Sequence, residues 1–161
     1  MSQPIVRRAH QEDADLLLAL IRELAEYEHL APPDAAACER LLADGFGERP
    51  RFEAYFAEVD GAVVAYAIVF ETYSSFLALP TLYLEDLYVR PEARRLGAGR
   101  AMMRFLAAEA VRRGCGRMEW VVLDWNELGQ SLYRRIAATM LDDWRYCRLT
   151  GDALQELAAS A

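Results

Sequence analysis

The segment from Leu82 to Arg104, LYLEDLYVRPEARRLGAGRAMMR, constrains the fold more than any other part of this chain. Its alternating apolar and aromatic residues predict a β-strand, which ends at Pro91. Gly97 and Gly99 then come directly before a helical pattern, so bare backbone N–H groups are expected at a helix N-terminus. This arrangement is typical of a site that binds a phosphate group. Two carboxylates, Glu85 and Asp86, lie in the strand just before it.

Length and composition predict one domain over residues 1–161, because 54% apolar residues suffice for one hydrophobic core. No apolar run reaches the length of a membrane span, and the N-terminus lacks the apolar region of a signal peptide. We therefore expect a cytoplasmic protein without a membrane partner. The three cysteines lie far apart and the two histidines show no metal-ligand spacing, so reduced thiols and no metal site are expected.

Charge is distributed unevenly along the chain. The sequence contains no lysine, which excludes Schiff-base chemistry and a Walker-type phosphate loop. The formal net charge of −7 argues against nucleic acid as the main partner. Between Arg90 and Arg117, however, eight arginines stand against two glutamates, which gives this segment +6 and leaves −13 for the rest. An anion site within an acidic protein suggests a phosphorylated cofactor that meets a cationic substrate. Arg104, Arg112 and Arg113 are interpreted as solvated.

Hydrophobic periodicity and turn signals predict an α/β (α+β) fold around one mixed sheet. Antiparallel strands come first, joined by the hairpin signal Asp60-Gly61, and a strand–helix–strand unit follows. The predicted strands are Ile5–Arg8, Phe52–Val59, Ala62–Thr72, Leu82–Val89, Met118–Leu123 and Trp144–Leu149. Five helices are predicted. Two have the bounds Glu12–Glu28 and Gly97–Arg113. The others are a helix capped by Asp34 that runs to Leu42, a helix capped by Asn126 that runs to about Ala137, and a C-terminal helix capped by Asp152.

Two blocks of the sequence resemble the GNAT superfamily of acetyltransferases. Arg94-x-x-Gly97-x-Gly99 matches the acetyl-coenzyme A loop of that superfamily, where it follows LYLEDLYV and precedes a helix. The second block, EWVVLDWNELGQSLYRR, comes about 25 residues later. With IRELAEYEHL and LLADGFGERP, these blocks are similar to the diamine acetyltransferase branch, which includes spermidine/spermine and thialysine N-acetyltransferases. The resemblance covers nearly the whole chain.

The resemblance implies a single GNAT-like domain with a mixed, mostly antiparallel sheet and helices on both faces. In this family a bulge in the fourth strand splays it from the fifth, and the pantetheine arm of acetyl-coenzyme A lies in the gap. Backbone groups of the fourth strand and the glycine loop would therefore hold the cofactor. No metal is implied. The implied cofactor-binding residues are Leu87, Tyr88, Val89, Arg94, Arg95, Leu96, Gly97, Ala98, Gly99, Arg100, Asn126 and Tyr133.

The chain departs from the family pattern in places. Arg95 stands where the family often has glycine. The segment Asn126–Gly129 lacks a proline that is common there and is expected to stiffen the helix start. Ile136 and Ala137 stand where relatives usually end the helix with a glycine. These departures bear on cofactor affinity more than on family membership.

The resemblance also implies roles in acetyl transfer. Glu85 matches a glutamate that acts through water as the base, and Asp86 matches an acid linked to polyamine binding. Tyr133 matches a tyrosine near the coenzyme sulfur and is expected to protonate the departing thiolate. We expect Glu85 to be buried beside Leu84 and Leu87, which would favour its action as a base. Glu85 and Asp86 share a pocket only if a bulge intervenes, because neighbours on a regular strand point to opposite faces.

Aromatic residues offer walls for an amine pocket. Tyr27 and Trp144 are the predicted substrate residues of this kind, with Trp125 as a further candidate, and plain core packing is the alternative for each.

The leading hypothesis is an acetyl-coenzyme A-dependent N-acetyltransferase that acts on the primary amine of a small cationic substrate. That substrate would be a diamine, a polyamine or a lysine-like amino acid. Two alternatives remain open, a non-catalytic acyl-coenzyme A-binding module and an acetyltransferase of protein lysines. The resemblance suggests a homodimer, although the sequence shows no interface signature. The identity of the amine is left open.

Overall fold

The computed structural model describes residues 3–160, in which five strands form one sheet in the order β1-β2-β3-β4-β5. The three pairs among β1 to β4 are antiparallel, and β4 pairs with β5 in parallel. The mixed, mostly antiparallel sheet is therefore confirmed. The strands are Ile5–Arg8 (β1), Glu53–Val59 (β2), Ala62–Ser74 (β3), Leu79–Val89 (β4) and Arg117–Glu119 (β5).

Helices follow the predicted positions with shifts at their ends, the largest in the second helix, which runs through Gly45 to Phe46 rather than ending at Leu42. They are Ala14–Tyr27 (α1), Ala35–Phe46 (α2), Ala98–Arg112 (α3), Glu127–Arg135 (α4) and Gly151–Ala159 (α5), with 3₁₀ turns at Gln11–Asp13 and Pro91–Ala93. The predicted caps of α2 and α4 are confirmed, because the side chains of Asp34 and Asn126 accept hydrogen bonds from the backbone N–H groups of Ala37 and Gly129. The predicted cap at Asp152 is wrong, since α5 begins at Gly151 and its N-cap position is Thr150, two residues before Asp152.

Both faces of the sheet are covered by helices, as expected. On the α3 face, the ring of Tyr55 lies 5.1 Å from the ring of Phe105, and Met102 and Leu106 are fully buried. The opposite face packs against α1, and its buried core comprises Ala9, Leu17, Leu20, Ala54, Phe56, Tyr66, Ile68 and Tyr88.

Strands β4 and β5 pair over three residues only. Thr81, Leu82 and Tyr83 lie opposite β5, whereas β4 continues to Val89. The predicted strand Met118–Leu123 is thus shorter than expected, because β5 ends at Glu119. The predicted splay between the fourth and fifth strands is confirmed, and it leaves the second half of β4 without a partner in β5.

The predicted strand Trp144–Leu149 is wrong. This segment is irregular, and its large side chains are exposed, with Trp144 at 76% and Tyr146 at 70%. Alternation of apolar residues specifies which side chains share a face, but it does not supply a neighbouring strand. Among residues 3–160, the strands of the sheet are β1 to β5, and this segment is not one of them.

Residues up to Trp125 form one compact unit, which contains the sheet and α1 to α3. Residues from Asn126 onward form a second compact unit with α4 and α5. The prediction of one domain over residues 1–161 stays a prediction. Across residues 3–160, no helix combines the length and apolar character needed to cross a bilayer.

Candidate active site

The start of α3 is a helix N-terminus that no side chain caps among the described residues. Gly97 lies in the left-handed region at φ 86°, and a Cβ built on it would meet no atom within 4 Å. The N–H of Ala101 donates to the carbonyl of Gly97 at 2.9 Å. The N–H groups of residues 98–100 precede this bond and have no acceptor within the helix. The predicted phosphate cradle therefore has free donors, a partial positive charge and open space beside Gly97.

Arginines near this helix start differ from those at its far end. Arg112 pairs with Glu109 and Arg113 pairs with Glu53, each at 2.7 Å. Within residues 3–160, no ion pair engages the three arginines near the helix start, Arg95, Arg100 and Arg104. An open cavity of about 280 Å³ adjoins two of them, Arg100 and Arg104, and is also lined by Gln3, Pro4, Gly97 and Ala101. These unpaired cations fit an anionic ligand.

Arg94 and Arg95 have different roles in the loop. The Nε of Arg94 donates to the carbonyl of Val89 at 3.1 Å, and its guanidinium lies 4.7 Å from the centre of the Tyr27 ring. Arg94 thereby joins the end of β4 to the end of α1. Arg95 is exposed and adopts φ 71°, a left-handed conformation that costs a non-glycine residue about 1–2 kcal/mol. The glycine often found here in the family would avoid that cost.

A β-bulge lies at Glu85. Ile68 of β3 pairs with Asp86 and Val69 pairs with Leu84, so Glu85 has no partner of its own. The bulge implied by the family resemblance is therefore confirmed. Of the remaining predicted cofactor residues, Leu87, Tyr88 and Val89 lie beyond the bulge, where β4 has no partner in β5. Leu96 and Ala98 flank Gly97, and Ala98 is buried.

Glu85 is exposed, so the expectation that it is buried beside Leu84 and Leu87 is wrong. A bulged residue interrupts the regular alternation of side chains along a strand. Leu84 and Asp86 therefore lie on opposite faces of the sheet, and Glu85 lies at the surface between them. Glu85 nevertheless lies close enough to Asp86 for its negative charge to raise the pKa of that carboxyl. The two carboxylates are therefore electrostatically coupled, although Glu85 is exposed.

Asp86 is half-buried and has the most perturbed environment of the predicted acids. Burial raises its pKa to about 6, and the negative charges of Glu85 and Glu28 act in the same direction. The hydroxyl of Tyr66 donates to Asp86 Oδ2 at 3.0 Å and opposes this rise. Burial also raises the pKa of Glu28, which directly follows α1. The negative charges of Glu85 and Glu28 thus both act on Asp86, an environment that suits a cationic group.

Aromatic rings lie around the C-terminal end of α1, next to Glu28. The ring of Tyr27 lies 5.5 Å from that of Trp125 and 6.4 Å from that of Tyr88. Trp125 also lies 5.9 Å from the ring of His29 and is half exposed. Tyr27 therefore contacts other rings next to Glu28, an arrangement that provides π-faces for a cation.

The remaining predicted residues lie in the second compact unit. Asn126 caps α4 through a hydrogen bond that its Oδ1 accepts from the N–H of Gly129 at 3.0 Å. Tyr133 is a buried residue of α4. Ala137, just after α4, adopts φ 60°, the left-handed conformation that a glycine would favour. The contacts of Asn126 and Tyr133 with a cofactor, and of Trp144 with a substrate, stay predictions.

Two residues of the site were not predicted from sequence. Glu28 carries a weak signal, since it is an acid directly after the candidate aromatic residue Tyr27 at the end of a helix. The sequence around Tyr66 gives no signal of a functional role, because a tyrosine within a hydrophobic strand is typical of core packing. Among residues 3–160, no group of three or more metal-ligating side chains could hold a metal ion.

The model of the acetyltransferase (GNAT) family matches residues 16–137. The thialysine N-epsilon-acetyltransferase of Bos taurus is 37% identical over 169 aligned positions, which cover 98% of this chain and 99% of that protein. An L-ornithine N5-acetyltransferase of Arabidopsis thaliana is 42% identical over 61% of this chain and 43% of its own length.

A solved integron cassette protein from the mobile metagenome of V. cholerae shares the fold, with a TM-score of 0.82 over 99% of this chain and 100% of its own. Its sequence identity is 23%, so it bears on the fold alone. The match to the family model spans more than half of the chain, and the bovine relative aligns along nearly all of it. The uncapped helix start and the splayed strands are thus those of an acetyltransferase, and this chain belongs to the GNAT family.

Proposed function

We propose that this acetyltransferase moves an acetyl group from acetyl-coenzyme A to the primary amine of a small cationic substrate. The observation that carries the proposal is the cluster of Glu28, Glu85 and Asp86 at the bulge of β4, in the same strand that leads to the phosphate loop. An anion site at the start of α3 and a cation site one short strand segment away match the two charged reactants.

The phosphate end of acetyl-coenzyme A would be held by residues Arg94–Arg100. Support comes from the free N–H groups of residues 98–100, the space beside Gly97 and the unpaired cations Arg95 and Arg100. The pantetheine arm would follow the backbone of residues 87–89, which β5 leaves uncovered. Asn126 would contact this arm, as the family resemblance implies. These groups position the thioester and supply no covalent chemistry.

The amine end would be bounded by Asp86 and Glu28, with Glu85 at the exposed rim and Tyr27 beside them. Partial burial makes the carboxylates of Asp86 and Glu28 costly to keep charged, and a bound ammonium group would offset that cost. Trp144 is proposed as a further aromatic contact on the strength of the family resemblance.

Reaction requires loss of a proton from the ammonium, since a primary amine has a pKa of about 10. Glu85 is proposed to accept this proton through a water, and its exposed position is compatible with a water between the two groups. The free amine then attacks the thioester carbonyl, the C–N bond forms and the C–S bond breaks. Tyr133 is proposed to donate its proton to the departing thiolate, and the second proton that the amine nitrogen loses as the amide forms restores the phenol.

The proposed substrate class is a diamine, a polyamine or a lysine-like amino acid. The names of the bovine and plant relatives refer to thialysine and ornithine, which supports an amino acid with a side-chain amine as one candidate. We also propose a homodimer, which the family resemblance suggests, and a cytoplasmic location, which the sequence suggests. Light scattering during size-exclusion chromatography tests the first, and cell fractionation tests the second.

Release of coenzyme A thiol, measured with a panel of amines, tests the proposed function. The panel holds ornithine, lysine, thialysine, putrescine, spermidine and a lysine-containing peptide. Thiol release that depends on a small cationic amine, and that falls in Asp86→Asn, is the expected result. Acetyl-coenzyme A binding without release for any amine would instead favour a non-catalytic binding module. Release with the peptide alone would favour a protein-lysine acetyltransferase.

A further inference from the structure

Tyr66 is fully buried in the middle of β3, yet its hydroxyl reaches the half-buried Asp86. The donor–acceptor distance to Asp86 Oδ2 is 3.0 Å. On this face of the sheet Tyr66 stands opposite Tyr88, and Asp86 is the next residue of β4 on the same face. A buried phenol needs an acceptor, and here the acceptor is a group of the proposed amine site.

The surroundings of Asp86 contain negative charge and no ionic partner. Glu85 faces it from its own strand, and Glu28 faces it from the end of α1. Tyr66 and Tyr88 are the neighbouring titratable groups on the sheet. Within residues 3–160, no arginine forms an ion pair with Asp86. Among the described residues, the side chain that donates a hydrogen bond to this carboxylate is Tyr66.

We propose that Tyr66 is a positioning residue of the amine site, which holds Oδ2 of Asp86 so that the other carboxylate oxygen receives the substrate ammonium. The assignment rests on the proposed function. It adds a role for a residue that touches neither reactant and that would otherwise count as part of the core.

Two effects follow from this hydrogen bond. It fixes one rotamer of Asp86, so the binding oxygen needs no reorganisation when the amine arrives. It also favours the charged form of the carboxylate, and therefore holds the pKa of Asp86 below the value that burial alone would give. Removing the hydroxyl should raise that pKa and weaken amine binding together.

Tyr66→Phe removes the hydroxyl and keeps the ring that packs in the core. The matched control is Tyr55→Phe, since Tyr55 is also buried and its hydroxyl donates to the carboxylate of Glu53 at 2.7 Å. Tyr55 lies in β2 on the α3 face, whereas Tyr66 lies on the α1 face. Both variants lose one tyrosine-to-carboxylate hydrogen bond from the same sheet, and Tyr55→Phe also loses the bond that the Tyr55 hydroxyl accepts from Arg113 at 3.0 Å, but only the bond made by Tyr66 reaches the amine site.

The first readout does not depend on turnover. Carboxyl ¹³C NMR follows the titration of Asp86 in the full-length protein, with its signal assigned by its absence from Asp86→Asn. In Tyr66→Phe the titration midpoint should move up by about one pH unit, the size expected for loss of one hydrogen bond to a charged group. In Tyr55→Phe it should not move. An unchanged midpoint in Tyr66→Phe would overturn the proposal.

The second readout is kinetic and uses the best amine of the panel. In Tyr66→Phe, KM for the amine should rise several-fold at pH 8 with kcat little changed, and the acid limb of the kcat/KM profile should move to higher pH. In an Asp86→Asn background, Tyr66→Phe should have no further effect on KM, because the two residues act as one unit. Additive effects would assign Tyr66 to the core.

The two readouts separate this inference from the proposed function. If no amine is acetylated by the wild-type protein, the proposed function fails, while the NMR titration still decides whether Tyr66 controls Asp86. Failure of Tyr66→Phe to fold, with Tyr55→Phe folded, would show that the hydroxyl serves the core and would contradict the proposal.

Discussion

The guanidinium of Arg94 lies 4.7 Å from the centre of the Tyr27 ring, while its Nε donates to the carbonyl of Val89 at 3.1 Å. Arg94 belongs to the proposed phosphate loop and Tyr27 to the proposed amine site. One side chain therefore connects the two ends of the site.

Arg94→Met should reduce both stability and cofactor affinity. The change removes a charged hydrogen bond and a cation–π contact, which together are worth on the order of 1–3 kcal/mol. Its neighbour offers a control, because exposed Arg95 makes no ion pair with any of residues 3–160. Arg95→Met should weaken acetyl-coenzyme A binding but leave the free energy of unfolding within about 0.5 kcal/mol. Urea unfolding and calorimetry measure the two quantities. Equal stability of both variants would contradict this role of Arg94.

Gly97→Val should weaken acetyl-coenzyme A binding at least about tenfold, or 1.4 kcal/mol. The valine side chain would enter the space beside the free N–H groups of α3, where a Cβ meets no protein atom within 4 Å. Gly114→Val is the matched control, since Gly114 has φ 73°, equally open surroundings and a place at the other end of α3. Both variants carry the same backbone strain, so only the loss of affinity distinguishes them. Unchanged affinity in a folded Gly97→Val protein would refute the loop assignment.

Asp86→Asn should stabilise the protein at neutral pH. Burial in the folded state raises the pKa of Asp86 to about 6 from its ordinary value of 3.8, so the folded protein holds this proton more tightly than the unfolded chain. Wild-type stability relative to the variant is therefore greatest below pH about 4 and is lost as pH rises through about 6. Above that range the variant should gain on the order of 1–2 kcal/mol after allowance for solvent screening. Thermal unfolding from pH 4 to pH 8 measures this difference, and a variant less stable at pH 8 would contradict it.

Tyr133→Phe should lower turnover roughly 10²-fold or more, the usual size of a proton-transfer contribution. The loss should appear in kcat rather than in KM, because the hydroxyl acts only as the thiolate develops. Tyr146→Phe provides a control within the same compact unit, since Tyr146 is exposed. Single-turnover kinetics isolate the chemical step. Wild-type turnover in Tyr133→Phe would leave Tyr133 as a packing residue.

Local signals predicted much of the fold correctly. The hairpin at Asp60 and Gly61 forms as expected, with both residues at positive φ and Val59 paired with Ala62. The uncapped helix start at Gly97 follows from the glycines and the missing capping side chain. These features depend on neighbours in sequence, so the sequence carries them directly.

Features that depend on distant partners could not be predicted. The pattern of Trp144–Leu149 suits a strand, but no pattern supplies a hydrogen-bonding neighbour for it. The hydrogen bond to Asp86 comes from Tyr66, twenty residues away on another strand, and part of the negative charge that acts on Asp86 comes from Glu28 at the end of α1. The exposure of Glu85 depends on the register shift opposite Ile68 and Val69. Tertiary contacts decided each of these outcomes.

Mass spectrometry of the products is the most direct test of the central claim, that a small cationic amine receives the acetyl group. Purified protein is given acetyl-coenzyme A and an equimolar mixture of ornithine, lysine, thialysine, putrescine, spermidine and a lysine-containing peptide, with Asp86→Asn as a parallel sample. The account predicts one preferred small amine acetylated on a primary amino group, with less product in Asp86→Asn. Acetylation of the peptide alone, or no acetylated amine from a protein that binds acetyl-coenzyme A, would contradict it.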